Sequence, residues 1–598
     1  MKDVKTVKDV KGVARWCLGA VLAVGLAGCG SSAPPVDTAK LAADVNALAD
    51  AYVVKYLDAF PYHALSIGAP DRHPSVLVDH SLPALRKWQA EEDALLSSLK
   101  AIDVSAIDGT AAAHTYQFLQ HLLESSIQFR VCRTELWNVS PTWTGWQSDL
   151  PLAAGMQGTA TPAEQQAALA RWSQVPKYLD DEIANLEEGI RLGYTAPNGN
   201  VQSVINQVSA MMTAPVADSP FVQMAKKEAP ASFRKGLEDL ERTAIRPAMA
   251  RYREFLQSTY LPAARDAIGV SANPNGPACY AAAVNYHATV AMPAQEVHDL
   301  GKAQMASIQA EMKEIGRRSF GTDDPAVVLK LVKTDPKYRF RSRDELIKTA
   351  EAAVARSKAA LPQWFGLIPM APVIVEPYPA FLEKTAPGGQ AVPPTADGRP
   401  GKYLLNAYKA TEQSRAGLES TAFHEAYPGH HMQAAIALER ENLHPISRYF
   451  FLSGFGEGWG LYAERLSDEM GLFTADVDRL GLLSNEALRA ARLVVDSGMH
   501  ALGWTRQQAI DYLLAHTTET TARAEAEIDR YIAVPGQATA YMIGNLEIRR
   551  LRDEATQKLG ARFDIREFHD VVLEDGTMPL WVLRQKVERW IADTLQKK

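Results

Sequence analysis

The sequence predicts a mainly α protein: a large helical array with a deep cleft, and one small pair of β-strands set just before the helix that carries its most distinctive motif. Three observations predict it. Apolar residues recur at helical spacing along most of the chain after Thr38, one short β-branched stretch bounded by prolines breaks that period, and no internal repeat of fixed length appears.

The elements follow in order. Leu41, Val45, Leu48, Ala49 and Val53 fall at i, i+3, i+4 steps, as do Leu169, Trp172, Val175, Tyr178 and Leu179, so each set lines one helix face. Segments 231–260 and 293–320 continue the array, the second opening with Pro293 at a first-turn position, where the missing N–H costs nothing. The break is Ala371-Pro372-Val373-Ile374-Val375-Glu376-Pro377, read as a strand, with Lys402-Tyr403-Leu404-Leu405-Asn406-Ala407-Tyr408 as its partner. Between them runs a Pro/Gly-rich loop at 387–394.

Composition is that of a globular chain, 47% hydrophobic and 22% charged. The N-terminus departs from it. Lys2, Lys5, Lys8, Lys11 and Arg15 precede an apolar run at 16–28 that is too short to span a membrane convincingly, which is the order of a secretory signal. The run ends in Leu26-Ala27-Gly28-Cys29 and resembles the lipobox of bacterial lipoproteins. That resemblance implies a signal peptide at 1–28, lipid on the Cys29 thiol and a lipidated linker at 29–37. With Gly30 rather than Asp after the cysteine, it also implies an outer-membrane anchor facing the periplasm.

Losing residues 1–28 removes five basic and two acidic residues and moves the formal charge from −7 to −10. An acidic chain without dense Lys/Arg runs is a poor polyanion binder, so nucleic acid is not expected as a partner. In the body only Cys132 and Cys279 remain, and outside the cytoplasm they either pair or stay as buried thiols. The body divides into an N-terminal helical region at 38–280 and a catalytic helical region at 281–598.

The chemistry sits in Phe423-His424-Glu425-Ala426-Tyr427-Pro428-Gly429-His430-His431-Met432-Gln433. Two imidazoles one helical turn apart can meet one zinc ion, and a catalytic site keeps a further position open for water. Here His430 follows His424 by six residues, a rise of about 9 Å on an unbroken helix and too far for a shared ion. Pro428 lacks the N–H that would bond the His424 carbonyl, and Gly429 can absorb a turn, so the segment carries its own break. Downstream, Gly456-Glu457-Gly458-Trp459-Gly460 places Glu457 where a second helix can return as third ligand, its glycines allowing close approach. Glu464, two turns on, is expected either to orient a ligand or to face solvent.

These motifs resemble the bacterial family called domain of unknown function eight-eight-five, which is itself similar to helical zinc peptidases of the thimet oligopeptidase, angiotensin-converting enzyme and carboxypeptidase Taq type. Those enzymes carry HExGH and a later glutamate; this chain has two extra residues before Gly429-His430. The resemblance makes His430 the second ligand and leaves His431 as the alternative. It continues through Asp496 and His500, the segment 535–541, and 568–580, and is densest between 403 and 587.

What it implies is a metallopeptidase holding one zinc ion on His424, His430 and Glu457 and cutting short peptides in the cell envelope. Glu425 is the general base on the water that the metal binds. Tyr541 and His569 are candidate donors to the developing oxyanion, each with a plainer reading as a packing residue. Asp496 and His500, at i, i+4, either bond each other or support the ligands from behind. Arg549 or Arg552 would clamp a substrate carboxylate, unless that run is a charged helix face. The strand before the motif either lays an extended peptide over the ion or simply covers the helix.

Two other readings stay open: a metal-dependent hydrolase of a non-peptide amide or ester, and a non-catalytic binding lipoprotein. Four ligands, often including cysteine, would mark a structural zinc, and a base beside a ligand would be superfluous there. No G-x-S-x-G or phosphate-cradling pattern stands between a strand and a helix.

Overall fold

The computed structural model describes residues 37–597 except 68, 227, 380–382, 384–385 and 396–397. The signal sequence, Cys29 and most of the linker lie outside the described residues. Helix dominates the rest, with three short strands, so the mainly α class is correct.

The helical periods become helices with identifiable stops. Asp37 caps α1 (Thr38–Ala59) by accepting from the Lys40 N–H, and Val45, Ala49 and Tyr52 turn its apolar face inward. The apolar set from Leu169 to Leu179 is split: one helix ends at Trp172 and the next, Val175–Leu192, starts after a break at Ser173–Gln174. Pro293 stands at the N-cap of α2 (Ala294–Ile315), one residue before the first turn.

Three apolar cores result. One joins α1 with helices Leu82–Lys100 and Ala111–Phe129, a second gathers residues from 62–78 and 139–260, and the third and largest packs most of the chain from 270 onward. Cys132 and Cys279 form a buried disulfide, which decides the question the sequence left open. It ties the segment just after helix Ala111–Phe129 to the helix before α2, Gly276–Ala288, across 147 residues.

The strand pair is a three-stranded sheet. β1 (Val373–Pro377) runs parallel to β3 (Gly401–Leu405), and β2 (Gly389–Val392) pairs antiparallel with the other side of β3. The expected loop at 387–394 thus supplies an extra edge strand. Gly-Gln-Ala-Val between glycine and prolines has no β-branched run to announce it.

The site is framed by α3 (Leu418–Glu425), α4 (His430–Glu439), α5 (Ser453–Glu469), α6 (Asp476–Ala501) and α7 (Ala540–Leu559). α5 and α7 cross at backbone contact. A Cβ on Gly544 would stand 1.8 Å from the Gly454 carbonyl oxygen, and one on Gly458 would stand 2.5 Å from the Gly544 carbonyl carbon. Only hydrogens fit there. Gly544→Ala is therefore expected to cost about 3 kcal/mol, the upper end of overpacking penalties, read as a lowered thermal midpoint. Because α5 carries Glu457, the same change should weaken metal retention, measured on the dialysed protein.

Candidate metal centre

The motif helix is broken outright. α3 ends at Glu425, α4 begins at His430, and the four residues between them turn the chain through non-helical angles at Ala426 and Gly429. The Tyr427–Pro428 bond is cis. A Cβ on Gly429 would fall 1.9 Å from the His424 carbonyl oxygen, so glycine alone permits the approach. The Trp459 indole N–H donates to the Pro428 carbonyl at 2.9 Å and pins the turn to α5.

This brings the His424 and His430 rings to 4.5 Å between centroids, nearly perpendicular. Glu457 arrives from the first turn and a half of α5, its Oε2 3.5 Å from both Nε2 atoms. The ligand atoms of the three residues lie within 4.8 Å of one another, the only such cluster among the described residues. Neighbouring donors on one tetrahedral zinc sit about 3.3 Å apart, so the spacing suits a shared ion. Gly460 makes room: a Cβ there would meet the His424 ring at 2.5 Å.

His424 is oriented from behind. Its Nδ1 donates to Glu464 Oε1 at 2.9 Å, which leaves Nε2 facing His430 and Glu457. Glu464 is itself held by the Ser420 hydroxyl, one turn before His424, and by Arg489 at 3.6 Å. A ligating imidazole tied through its other nitrogen to a carboxylate is the usual support of a metal site.

Charge follows geometry. Burial would raise the Glu457 carboxyl, but hydrogen bonds from the two imidazoles hold it well below the carboxylate range. Burial lowers the His424 imidazole, yet Glu457, Glu464 and Glu425 outweigh it and push the group up to about 10. Without metal, His424 is therefore an imidazolium at neutral pH and must lose that proton to ligate. Zinc affinity should rise as pH climbs from 6 towards 10. Calorimetry in buffers of different ionisation enthalpy should show about one proton released per ion bound at pH 7.5.

His431 is turned away. Its Nε2 meets the Ala371 carbonyl oxygen at 3.0 Å and its ring is wholly buried, with Gly401 close against Nδ1. It fastens α4 to the sheet. Glu425, the last residue of α3, is 9% exposed and has no hydrogen-bond or ion-pair partner among the described residues. β2 lies on it: a Cβ on Gly389 would be 3.2 Å from Glu425 Cγ and 2.7 Å from Thr421 Cγ2.

The remaining candidates separate. Tyr541, at the start of α7, carries the Arg492 guanidinium over its ring at 4.5 Å. Burial and the Glu457 charge raise its phenol, with Arg492, Arg530 and Arg489 opposing, which places it in the electrostatic reach of the cluster. His569 has no free donor, since Nδ1 donates to the Trp364 carbonyl at 2.8 Å and Nε2 accepts from the Tyr462 hydroxyl at 2.7 Å. Burial lowers that ring to about 3, so it stays neutral and is set aside as an oxyanion partner.

Asp496 and His500 share a face but not a bond. Asp496 accepts from the Tyr280 hydroxyl and the Gly536 N–H, and His500 bridges the Val270 N–H and the Tyr531 carbonyl. Neither touches a ligand through these bonds. Arg549 pairs with Glu486 and Arg552 with Glu469 and the Tyr462 hydroxyl, so both guanidinium groups are already committed. A groove of about 490 Å³ lined by Lys348, Arg356, Arg415 and Glu419 opens at the far end of α3 from His424 and includes no member of the cluster.

Ser420, Arg489, Arg492 and the strand residue Gly389 were not singled out by sequence reasoning. Ser420 had a signal, standing four residues before His424 on the same face. The others come from distant segments that only the fold unites.

Fold and site together define a helical protein with a candidate metal centre of two histidines and one glutamate on a broken helix and its neighbour. The chain belongs to the family described as "Bacterial protein of unknown function (DUF885)", whose model matches residues 61–587. It is similar to the crystal structure of a "putative lipoprotein" from Colwellia psychrerythraea, with 25% identity and a TM-score of 0.84 over 93% of this chain and 99% of that one. A protein of the same description and unknown function from Shewanella oneidensis shares the fold at 18% identity, with a TM-score of 0.73 over 90% of this chain and 98% of that one. No curated protein matches the sequence.

Proposed function

We propose that the protein is a zinc-dependent hydrolase of short peptides, anchored by lipid on Cys29 at the periplasmic face of the outer membrane. The observation that carries the reading is the convergence of His424, His430 and Glu457 near a buried carboxylate, Glu425, that has no hydrogen-bond or ion-pair partner among the described residues. Two imidazoles and a carboxylate suit zinc, and three protein ligands leave a position open, as a catalytic rather than a structural site does. Cysteine ligation is absent from the set, and Cys132 and Cys279 are locked together elsewhere.

Bound by these residues, zinc would polarise the scissile carbonyl and acidify water. The chain's own groups would do the rest. Glu425 takes a proton from the attacking water as its oxygen bonds the carbonyl carbon, then hands it to the nitrogen as the C–N bond breaks. The Tyr541 hydroxyl donates to the carbonyl oxygen as charge gathers there, its ring held by Arg492. The Asn406 N–H donates to the Gly388 carbonyl, so Gly389 and Ala391, the first and third residues after it along the antiparallel register, point their backbone groups to the free edge of β2. Glu425 packs against the face of this strand at Gly389, and the free edge beside it suits an extended peptide.

Lipid anchoring rests on the segment 16–29 and on the lipoprotein descriptions of the two similar structures. No helix among the described residues is long and apolar enough to cross a membrane.

The test is cleavage of a mixed library of short peptides by the mature lipoprotein in detergent, before and after chelation and after zinc is restored. The proposal expects cleavage that stops with chelation and returns with zinc. A zinc-loaded protein that leaves every peptide intact would favour a binding lipoprotein instead.

A further inference from the structure

The segment that leads into α5 is apolar and divides its side chains between two places. Ile446 and Leu452 are buried in the core formed around α1, and Phe450 packs on Tyr52 and Tyr56 at 5.4 and 5.0 Å between ring centroids. Phe451, between them, does the opposite. It is 57% exposed, while the aromatic residues around the same motif, Phe423, Tyr427, Trp459 and Tyr462, are at most 1% exposed.

Its position is nevertheless fixed. The ring stands edge-on to the His430 ring at 6.2 Å and lies over Gly456, where a Cβ would come within 2.2 Å of it. Gly456 immediately precedes Glu457. One exposed phenylalanine therefore sits against a ligand histidine and over the residue next to the ligand glutamate, stapled there by its neighbours. Isolated apolar residues on a surface are common, but this one is held against a member of the cluster.

We infer that Phe451 walls an apolar subsite for the substrate residue flanking the scissile bond, and that the enzyme prefers peptides with an aromatic or large aliphatic side chain there. The inference rests on the peptidase reading and adds the substrate class. Burying such a side chain against the ring removes apolar surface of both from water, and a single pocket contact of this kind discriminates by about tenfold or more. The N-terminal region would thereby shape specificity without supplying a metal ligand, since it anchors the segment that presents Phe451.

The experiment compares the full mature lipoprotein with Phe451→Ala and Phe451→Leu on peptides that differ only at the residues either side of the cleaved bond, carrying Gly, Ala, Leu or Phe. Bound zinc is measured in each protein. The readout is the ratio of kcat/KM for the Phe peptide to that for the Ala peptide. The native protein should favour Phe at one of the two positions, Phe451→Ala should lower that ratio about tenfold, and Phe451→Leu should fall between. If the native protein cleaves but the ratio is the same in all three at both positions, the subsite is overturned and the peptidase reading stands. If the native protein, zinc-loaded, cleaves nothing, the peptidase reading fails and takes the subsite with it.

Discussion

Replacing Glu425 by Gln is expected to reduce peptide cleavage about 10³-fold while leaving bound zinc unchanged. The amide keeps the shape and volume of the carboxylate, so β2 should still rest on it through Gly389. It cannot accept a proton, and general base contributions of this kind fall between about 10² and 10⁴. The split matters more than the size of the loss. Glu425 has no bond to His424, His430 or Glu457, so a change confined to turnover places it in the chemistry and not in the ligand set. Single-turnover rates on a cleaved peptide, with metal content measured on the same samples, provide the check.

The adjacent histidines give the second large effect. His430→Ala should weaken zinc binding by well over the roughly 10- to 100-fold seen when an outer hydrogen-bond partner of a ligand is lost. His431→Ala should leave zinc affinity close to native and instead lower thermal stability. Its ring fills the space between α4 and the sheet and holds the Ala371 carbonyl, and removing a buried ring opens a cavity costing about 3 kcal/mol. Competition with a chromophoric chelator and a thermal melt on each variant separate the two residues. Sequence spacing alone could not, because both imidazoles follow the same Pro-Gly break.

Much of the site was legible because its logic is local. Pro428 and Gly429 announced that α3 and α4 would not be one helix, and the acidic residue amid glycines at 456–460 announced a close-packed return. The fold class followed from apolar periodicity. What escaped depended on packing between distant segments. β2 was hidden in a Pro/Gly stretch because an edge strand of four residues needs a partner, not a propensity. His569 looked like a donor until Trp364, some two hundred residues earlier, proved to accept its only N–H. Asp496 and His500 were correctly placed on one face of α6, yet each found a partner from another segment before it could reach the other.

The same contrast applies to Arg489 and Arg492. Neither stands out in the sequence, but one helps hold the carboxylate behind His424 and the other lies over the ring of Tyr541. An arginine becomes informative only when its neighbours are known, since a surface ion pair is worth little and a buried one is costly to misplace.

The central claim is that one ion joins three side chains across the break in the motif helix. Anomalous diffraction at the zinc edge, from crystals of the mature protein grown with zinc, tests it directly. A single strong peak is expected about 2.0–2.2 Å from His424 Nε2, His430 Nε2 and the Glu457 carboxylate. A peak on His431, or zinc bound elsewhere with these three side chains left empty, would contradict it.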